Sequence, residues 1–411
     1  MDVAVSQAIE RAARNSYGKL VAVLAARSRN IASAEDALSG ALLKALKDWP
    51  GSGVPKNPEA WLLTTARRID IDAWQRAMTA HNQTSFVTMI ENERMEIVPD
   101  EIPDDRLRLL FACAHPAIDQ ALHMPLMLQV VLGVSAHKIA SALLLPPVTI
   151  GQRLSRAKAK IKDAGLRFSI PEAVELPARV AAVLNATYVA YTLGNEAAFG
   201  ENEHLRDLAM EAIWLARVIV SLLPEDQEAK GLLALMLFSE ARRVARRFPT
   251  KGDYIPLSDQ NISLWNIEMI DEAKQLLQQS RNLKTVGRFG LEAAIQSVHT
   301  ERRVSGTTDW IAIEHLYRGL IAVSPTIGAQ IGHAITASHC FGPSEGLELL
   351  YAISTDKVAN YASYWAARAH LNSRLGHVET ALDAYHRAIG LTEDAAVRLY
   401  LIGKRKELLA A

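Results

Sequence analysis

Residues 149 to 165, TIGQRLSRAKAKIKDAG, carry the cations Arg153, Arg156, Lys158, Lys160 and Lys162 against a single acid, Asp163. Guanidinium and ammonium groups at this density neutralise phosphate, so the chemistry on offer is recognition of a polyanion. Their phase matters as much as their charge. At 100° per residue, Ile150, Leu154, Ala157 and Ile161 form one narrow stripe that must pack inward. Gln152, Ser155, Arg156 and Ala159 then face outward. Thr149, Arg153 and Lys160 lie along one shoulder and Lys158 and Lys162 along the other, an arrangement suited to insertion between two phosphate walls.

The elements that must position this helix lie just upstream, in SAHKIASALLLPPVT. Ser135 is a cap for a short helix whose inward residues are Ile139, Ala140 and Leu143, and Pro147 suits the first position of the next one. Two helices joined by so short a turn make a helix-turn-helix, whose second helix enters the major groove with its N-terminal residues nearest the bases. Thr149, Gln152, Arg153 and Arg156 are therefore the expected readers, with Lys158 and Lys160 set further along to meet phosphate. The competing reading is a solvated basic face on an ordinary bundle helix. The cap, the turn, the clean stripe and the lack of acids before Asp163 favour DNA.

A second candidate segment, AWLLTTARRIDIDAWQRA, sets Trp61, Leu62, Ala66, Ile69 and Ala73 inward and Arg67, Arg68, Asp72 and Arg76 on polar faces. Aromatic rings can stack on bases while arginines neutralise the backbone, although Trp61 and Trp74 serve a core equally well. There is no Gly-rich phosphate loop and no HExxH, and His115, His123 and His137 come without a matching carboxylate or cysteine pattern, so neither a metal nor a cofactor is expected. The cation cluster SEARRVARR (239 to 247) reads as a solvated or salt-bridged face.

The chain of 411 residues holds 45 Lys+Arg and 45 Asp+Glu, but its neutrality is an average. The first 168 residues hold 21 cations and 17 anions, the remainder 24 and 28. Cys113 and Cys340 form no disulfide or zinc spacing, which suits a reducing compartment. The start, MDVAVSQAIE, lacks the basic flank and apolar core of a signal peptide, and the longest apolar stretch, MPLMLQVVLGV, is much shorter than a membrane span. The expectation is a soluble cytoplasmic protein with no membrane partner.

Apolar residues recur at three and four almost throughout, which predicts an all-α chain. Prolines and glycines divide it. A helical block over 1–80 is broken at WPGSGVPKNP; a polar, partly acidic linker follows over 81–105; a compact block holding the basic helix spans 106–168; and the largest block runs over 169–411. In the last block Tyr317, Tyr351 and Tyr385 are 34 apart, as are Gly342 and Gly376, and 34 is the length of the tetratricopeptide helical hairpin. The final unit, YWAARAHLNSRLGHVETALDAYHRAIGL, is the clearest. There Trp365 and Tyr385 alternate with the small Ala369, Ala381 and Ala388.

The order of the pieces carries a resemblance. AEDALSGALLKALKDW, then AWLLTTARRIDIDAWQR, then a linker, then IASALLLPPVTIGQRLSRAKAKI resembles the extracytoplasmic-function group of bacterial RNA polymerase sigma factors over about residues 5 to 168. GVPKNPEAWLLTTARR, DEIPDDRLRLLFACAHPA and DQNISLWNIEMIDEA, with the long helical C-terminus, are similar to the subgroup fused to a tetratricopeptide-like extension. The resemblance implies two small sigma domains and a helical-repeat domain. It implies that Glu35, Asp36 and Lys44 contact RNA polymerase core, that Arg67, Arg68, Asp72 and Arg76 recognise the melted −10 element, and that the basic helix reads the −35 element of promoter DNA. The extension would regulate activity or hold a protein partner. Ser39-Gly40 stands where many of these factors have Gln-Glu. The rival expectation is a one-component helix-turn-helix regulator with a C-terminal ligand- or protein-binding helical domain, which leaves the first 80 residues without a role.

Overall fold

The computed structural model describes residues 3–28, 30–79, 102–143, 146–164, 166, 171, 174–196, 203–246, 254–280 and 287–410. Among these residues the regular structure is helical throughout, apart from short turns of 3₁₀ helix, as the apolar spacing predicts. The chain divides into two compact units, one of residues 1–194 with 203–218, the other of 195–202 with 219–411.

The first unit opens with α1 (Val3–Ser28), α2 (Ile31–Ser52) and α3 (Pro58–Thr79). Asn30 starts α2 by accepting a hydrogen bond from Ser33 N at 3.2 Å, and Asn57 starts α3 by accepting from Ala60 N at 3.1 Å. The break expected from Trp49 onward begins later. α2 runs through Pro50 to Ser52, and Gly53, at φ +78°, turns the chain while its N–H bonds to Trp49 O at 2.9 Å. α2 and α3 are antiparallel, as shown by three contacts along their length: Trp49 meets Trp61 edge-on at 5.4 Å, Gly40 lies against Ile69, and Ser33 Oγ donates to Asp70.

The 81–105 linker lies largely outside the described residues, but its end is helical. α4 spans Ile102–Cys113, four residues ahead of the expected block start, and is followed by α5 (Gln120–Val130), α6 (Ala136–Ala142) and α7 (Pro147–Asp163). α4 packs on α1, and α7 on α2, α5 and α6. All of these helices lie in the first compact unit, which also holds α8 (Leu176–Glu196) up to residue 194 and the first part of α9 (Glu203–Leu222).

The second unit continues with α10 (Gln227–Ala241) and α11 (Ile267–Ser280), then three helical hairpins. These are α12 with α13 (Arg288–Ser305, Trp310–Val323), α14 with α15 (Ile327–Cys340, Pro343–Tyr351), and, after the short α16 (Thr355–Val358), α17 with α18 (Ala362–Arg374, Val378–Leu391). α19 (Ala395–Ala410) covers the last. Each hairpin turns on a glycine with positive φ, Gly306 at +76°, Gly342 at +105° and Gly376 at +75°, a conformation that a Cβ disfavours. Tyr317 and Tyr385 are each the eighth residue of a 14-residue helix, whereas Tyr351 ends its shorter helix and is 48% exposed. In the last hairpin Trp365, Ala369, Ala381, Tyr385 and Ala388 are all buried.

Candidate nucleic-acid interface

The approach to the basic helix is built as its residues dictate. Ser135 Oγ accepts from Lys138 N at 3.4 Å to open α6, and Ile139 and Ala140 are fully buried. Pro147 is the first residue of α7, where its missing N–H costs nothing. Ile150, Leu154, Ala157 and Ile161 are buried on one side, each 3% exposed or less. On the other side Gln152, Arg153, Arg156 and Lys160 are exposed, and Thr149 is half-buried. Lys160 and Lys162 sit in the last turn, where the helix dipole favours cations.

Lys158 is the exception. Its Nζ donates to both carboxylate oxygens of Glu35 at 2.7 Å, and the two side chains are only 12% and 17% exposed. One expected DNA contact and one expected polymerase contact thus neutralise each other across α7 and α2. Tyr17 of α1 joins them, its hydroxyl hydrogen-bonded to Glu35, and burial first and Glu35 second push its pKa above the usual phenol range. Cys113 of α4 is fully buried beside the pair, and burial raises its thiol. Asp36 and Lys44, also on α2, are exposed.

On α3, Arg68, Asp72 and Arg76 are exposed, Arg76 Nε donating to Asp72 O at 3.1 Å, and Arg67 is half-buried. Trp61 meets Trp49, as a core residue would. Leu62 and Ala66 are fully buried, but Ala73, expected inward, is exposed. The cause is the length of its neighbour. α3 pairs Asp70 with Ser33 near the start of α2, so the turns after Asp70 run past the N-terminal end of α2 and nothing of α2 remains to cover them. That overhang carries Asp72 and Arg76.

Two features of this unit escape a reading by sequence spacing. Gly18 sits inside α1, and a Cβ there would overlap the carbonyl oxygen of Val131 at the end of α5. The hint was only a glycine inside a helical pattern. Arg106 is 7% exposed although DDRLRLL looks like a surface turn. It pairs with Glu211, lies 4.6 Å over the Trp214 ring, and burial lowers it to about 10 against the opposing pull of Glu59. Arg106 shares one helical face with Leu109, Leu110 and Cys113, but that spacing alone does not say that another helix covers the arginine. Glu59 in turn accepts from Ser16 and Lys19 at 2.5 and 2.9 Å, which ties α3 to α1.

The neighbouring histidines have separate tasks. His123 Nε2 lies 3.0 Å from Ile118 O, and His115 Nδ1 accepts from Ala117 N at 3.1 Å. Among the described residues no group of three or more His, Cys, Asp or Glu is arranged to hold a metal ion. Nor is any helix among them long and apolar enough to cross a membrane.

Comparison with known proteins bears on the whole chain. A family of unknown function, DUF6596, matches residues 179–281, from α8 to α11. No solved structure matches. The uncharacterized protein R00370 of Rhizobium meliloti (strain 1021) is 33% identical over 380 residues, which is 91% of this chain and 89% of that protein. The match runs through both compact units, and the chain belongs to the same family as R00370.

Proposed function

We propose that the chain is an alternative sigma factor, a promoter-specificity subunit that binds RNA polymerase core and has no catalytic chemistry of its own. The observation that carries the reading is the phase of α7. Its apolar stripe is buried against α5 and α6, so Gln152, Arg153 and Arg156 are held outward near its start, behind the short α6. In this reading those side chains, with Thr149, read the −35 element, and Lys160 contacts phosphate. The overhanging end of α3, with Asp72 and Arg76, and Arg68 just before it, meet the melted −10 element, and Arg67 supports them. Glu35, Asp36 and Lys44 on α2 meet the polymerase, and the helical hairpins of the second unit are a tetratricopeptide-like regulatory extension.

The ion pair of Lys158 with Glu35 gives this reading a conformational requirement. While the pair stands, α7 lies on the helix assigned to polymerase, so engaging both promoter elements on core requires α2 and α7 to separate. The small charge excess of the first 168 residues supports only weak, salt-sensitive DNA binding by the free chain, with polymerase supplying the rest. The deciding experiment is transcription from genomic promoter fragments by core polymerase with and without the chain. Chain-dependent transcripts and a core complex are expected. A stable dimer on palindromic duplex DNA, with neither core complex nor transcript, would replace the sigma reading by that of a one-component regulator.

A further inference from the structure

Val148, the second residue of α7, is 73% exposed, and among the described side chains of α4 to α7 it is the one large apolar group left so open. A lone exposed valine is ordinary on a protein surface, but the setting of this one is not. Gln152, Ser155 and Ala159 follow it by four, seven and eleven residues, which at 100° per residue puts all four in line along the outermost ridge of the helix. Gln152, Ser155 and Ala159 are exposed as well. No residue of that ridge is charged. The exposed cations Arg153, Arg156 and Lys160 stand on one flank and Lys162 on the other. The side chains that reach deepest into a groove are therefore neutral, with the phosphate-seeking groups to either side.

The start of α7 is stiff where Val148 stands and open beside it. Pro146, at φ −65° and ψ 131°, and Pro147 fix the backbone that leads into the helix. Neither has an N–H, and the N–H of Ile150 donates to Pro146 O at 3.3 Å. The first turn thus offers few donors to a phosphate and presents an isopropyl group instead. Gly151, three residues on, lies next to Val148 on the helix surface. A Cβ added there would meet nothing within 4 Å, so no packing inside the chain calls for a residue that helix interiors disfavour. Its effect is a notch beside the isopropyl group. Of the four bases, thymine alone puts an apolar group, its C5-methyl, into the major groove. Arginine and lysine pair with guanine and glutamine with adenine, whereas a valine has only that methyl group to meet.

We infer that Val148 is a specificity-determining residue for the duplex element: its isopropyl group packs on the C5-methyl of one thymine, in the space that Gly151 leaves, while Gln152 reads beside it. This rests on the reading of α7 as a recognition helix and adds to it the identity of one base.

The test uses core polymerase reconstituted with the full chain. Holoenzyme-bound fragments are recovered from a pool of duplexes carrying a randomised upstream segment. The selected duplex element is then resynthesised with each thymine in turn replaced by deoxyuridine, which lacks only the methyl group. At one position the replacement should weaken binding about fourfold, the effect of exposing one buried methyl group, and at the others by less. Val148→Ala should weaken binding to the thymine element and become indifferent to deoxyuridine at that position, with an unchanged circular-dichroism melt. Val174→Ala, at a valine 93% exposed, should behave as the parent chain does. The assignment is overturned if no replacement matters, or if Val148→Ala stays as sensitive to it as the parent. Failure of the underlying reading looks different: holoenzyme does not form, or it forms and enriches no duplex sequence, and the assignment of Val148 falls with it.

Discussion

Lys158 Nζ lies 2.7 Å from each carboxylate oxygen of Glu35, a contact between residues 123 apart in sequence that joins the basic helix to α2. Both groups are largely withdrawn from water, so each depends on the other for its charge balance. Removing one partner of such a pair strands the other, which is costlier than replacing both. Lys158→Ala should therefore destabilise the first unit by about 2–4 kcal/mol in urea unfolding. The exchanged double variant Glu35→Lys, Lys158→Glu should recover at least half of that loss. An exchange as unstable as the single variants would show that surrounding packing, not the pair, sets the stability.

How much of this arrangement was legible beforehand depends on the distance over which each signal acts. The stripe Ile150, Leu154, Ala157 and Ile161 is a local pattern, and each of its residues is buried as the pattern requires. The spacing of Gly342 and Gly376 is local too, and it marks two hairpin turns. Ala73 continued a local pattern correctly but lost its cover because α2 starts only at Ile31, a fact that α3 does not encode. The partner of Lys158 and the burial of Arg106 are choices made between helices far apart in the chain, and spacing within one helix is silent about them. The 34-residue period shows both outcomes at once, since Tyr385 is buried and Tyr351, at the same offset, is half exposed.

Two mid-helix glycines that look alike in sequence should respond oppositely to alanine. Helix propensity favours alanine by about 1 kcal/mol at either site. At Gly18 the added Cβ would overlap the backbone carbonyl of Val131, which can yield only if α1 moves from α5. At Gly40 it would meet Ile69 Cδ1 at 3.1 Å, the far end of a flexible side chain. Gly18→Ala should cost about 1–3 kcal/mol, in the range of overpacked cores, while Gly40→Ala should be neutral or stabilising by up to about 1 kcal/mol. Thermal melts of the two variants decide this, and equal shifts would refute the close approach at Gly18.

The exposed residues of α7 should divide into readers and anchors if the sigma reading holds. Arg156→Ala should weaken holoenzyme binding to the cognate −35 element by about 1–3 kcal/mol and relax the preference for its sequence. Lys160→Ala should lower affinity for cognate and altered elements alike, and reduce the salt slope by about 0.9. Competition binding at several salt concentrations separates the two. If both variants lose affinity uniformly, Arg156 is a phosphate contact and the readers lie nearer the helix start.

Acid sensitivity of the second unit should pass through His299. Burial, with Arg242 and Arg302 beside it, lowers its pKa to about 4 from an ordinary value near 6.5. An unfolded chain therefore takes up this proton at a higher pH than the folded one. The folded state keeps the benefit above about pH 6.5 and loses it progressively as pH falls towards 4, at no more than about 1.4 kcal/mol per pH unit for one group. His339 and His370 are lowered as well and add to the same trend. The melting temperature should thus drop between pH 7 and pH 5, and His299→Asn, which cannot titrate, should show a smaller drop across that interval. Parallel pH profiles for His299→Asn and the parent chain would mean that the acid-labile groups lie elsewhere.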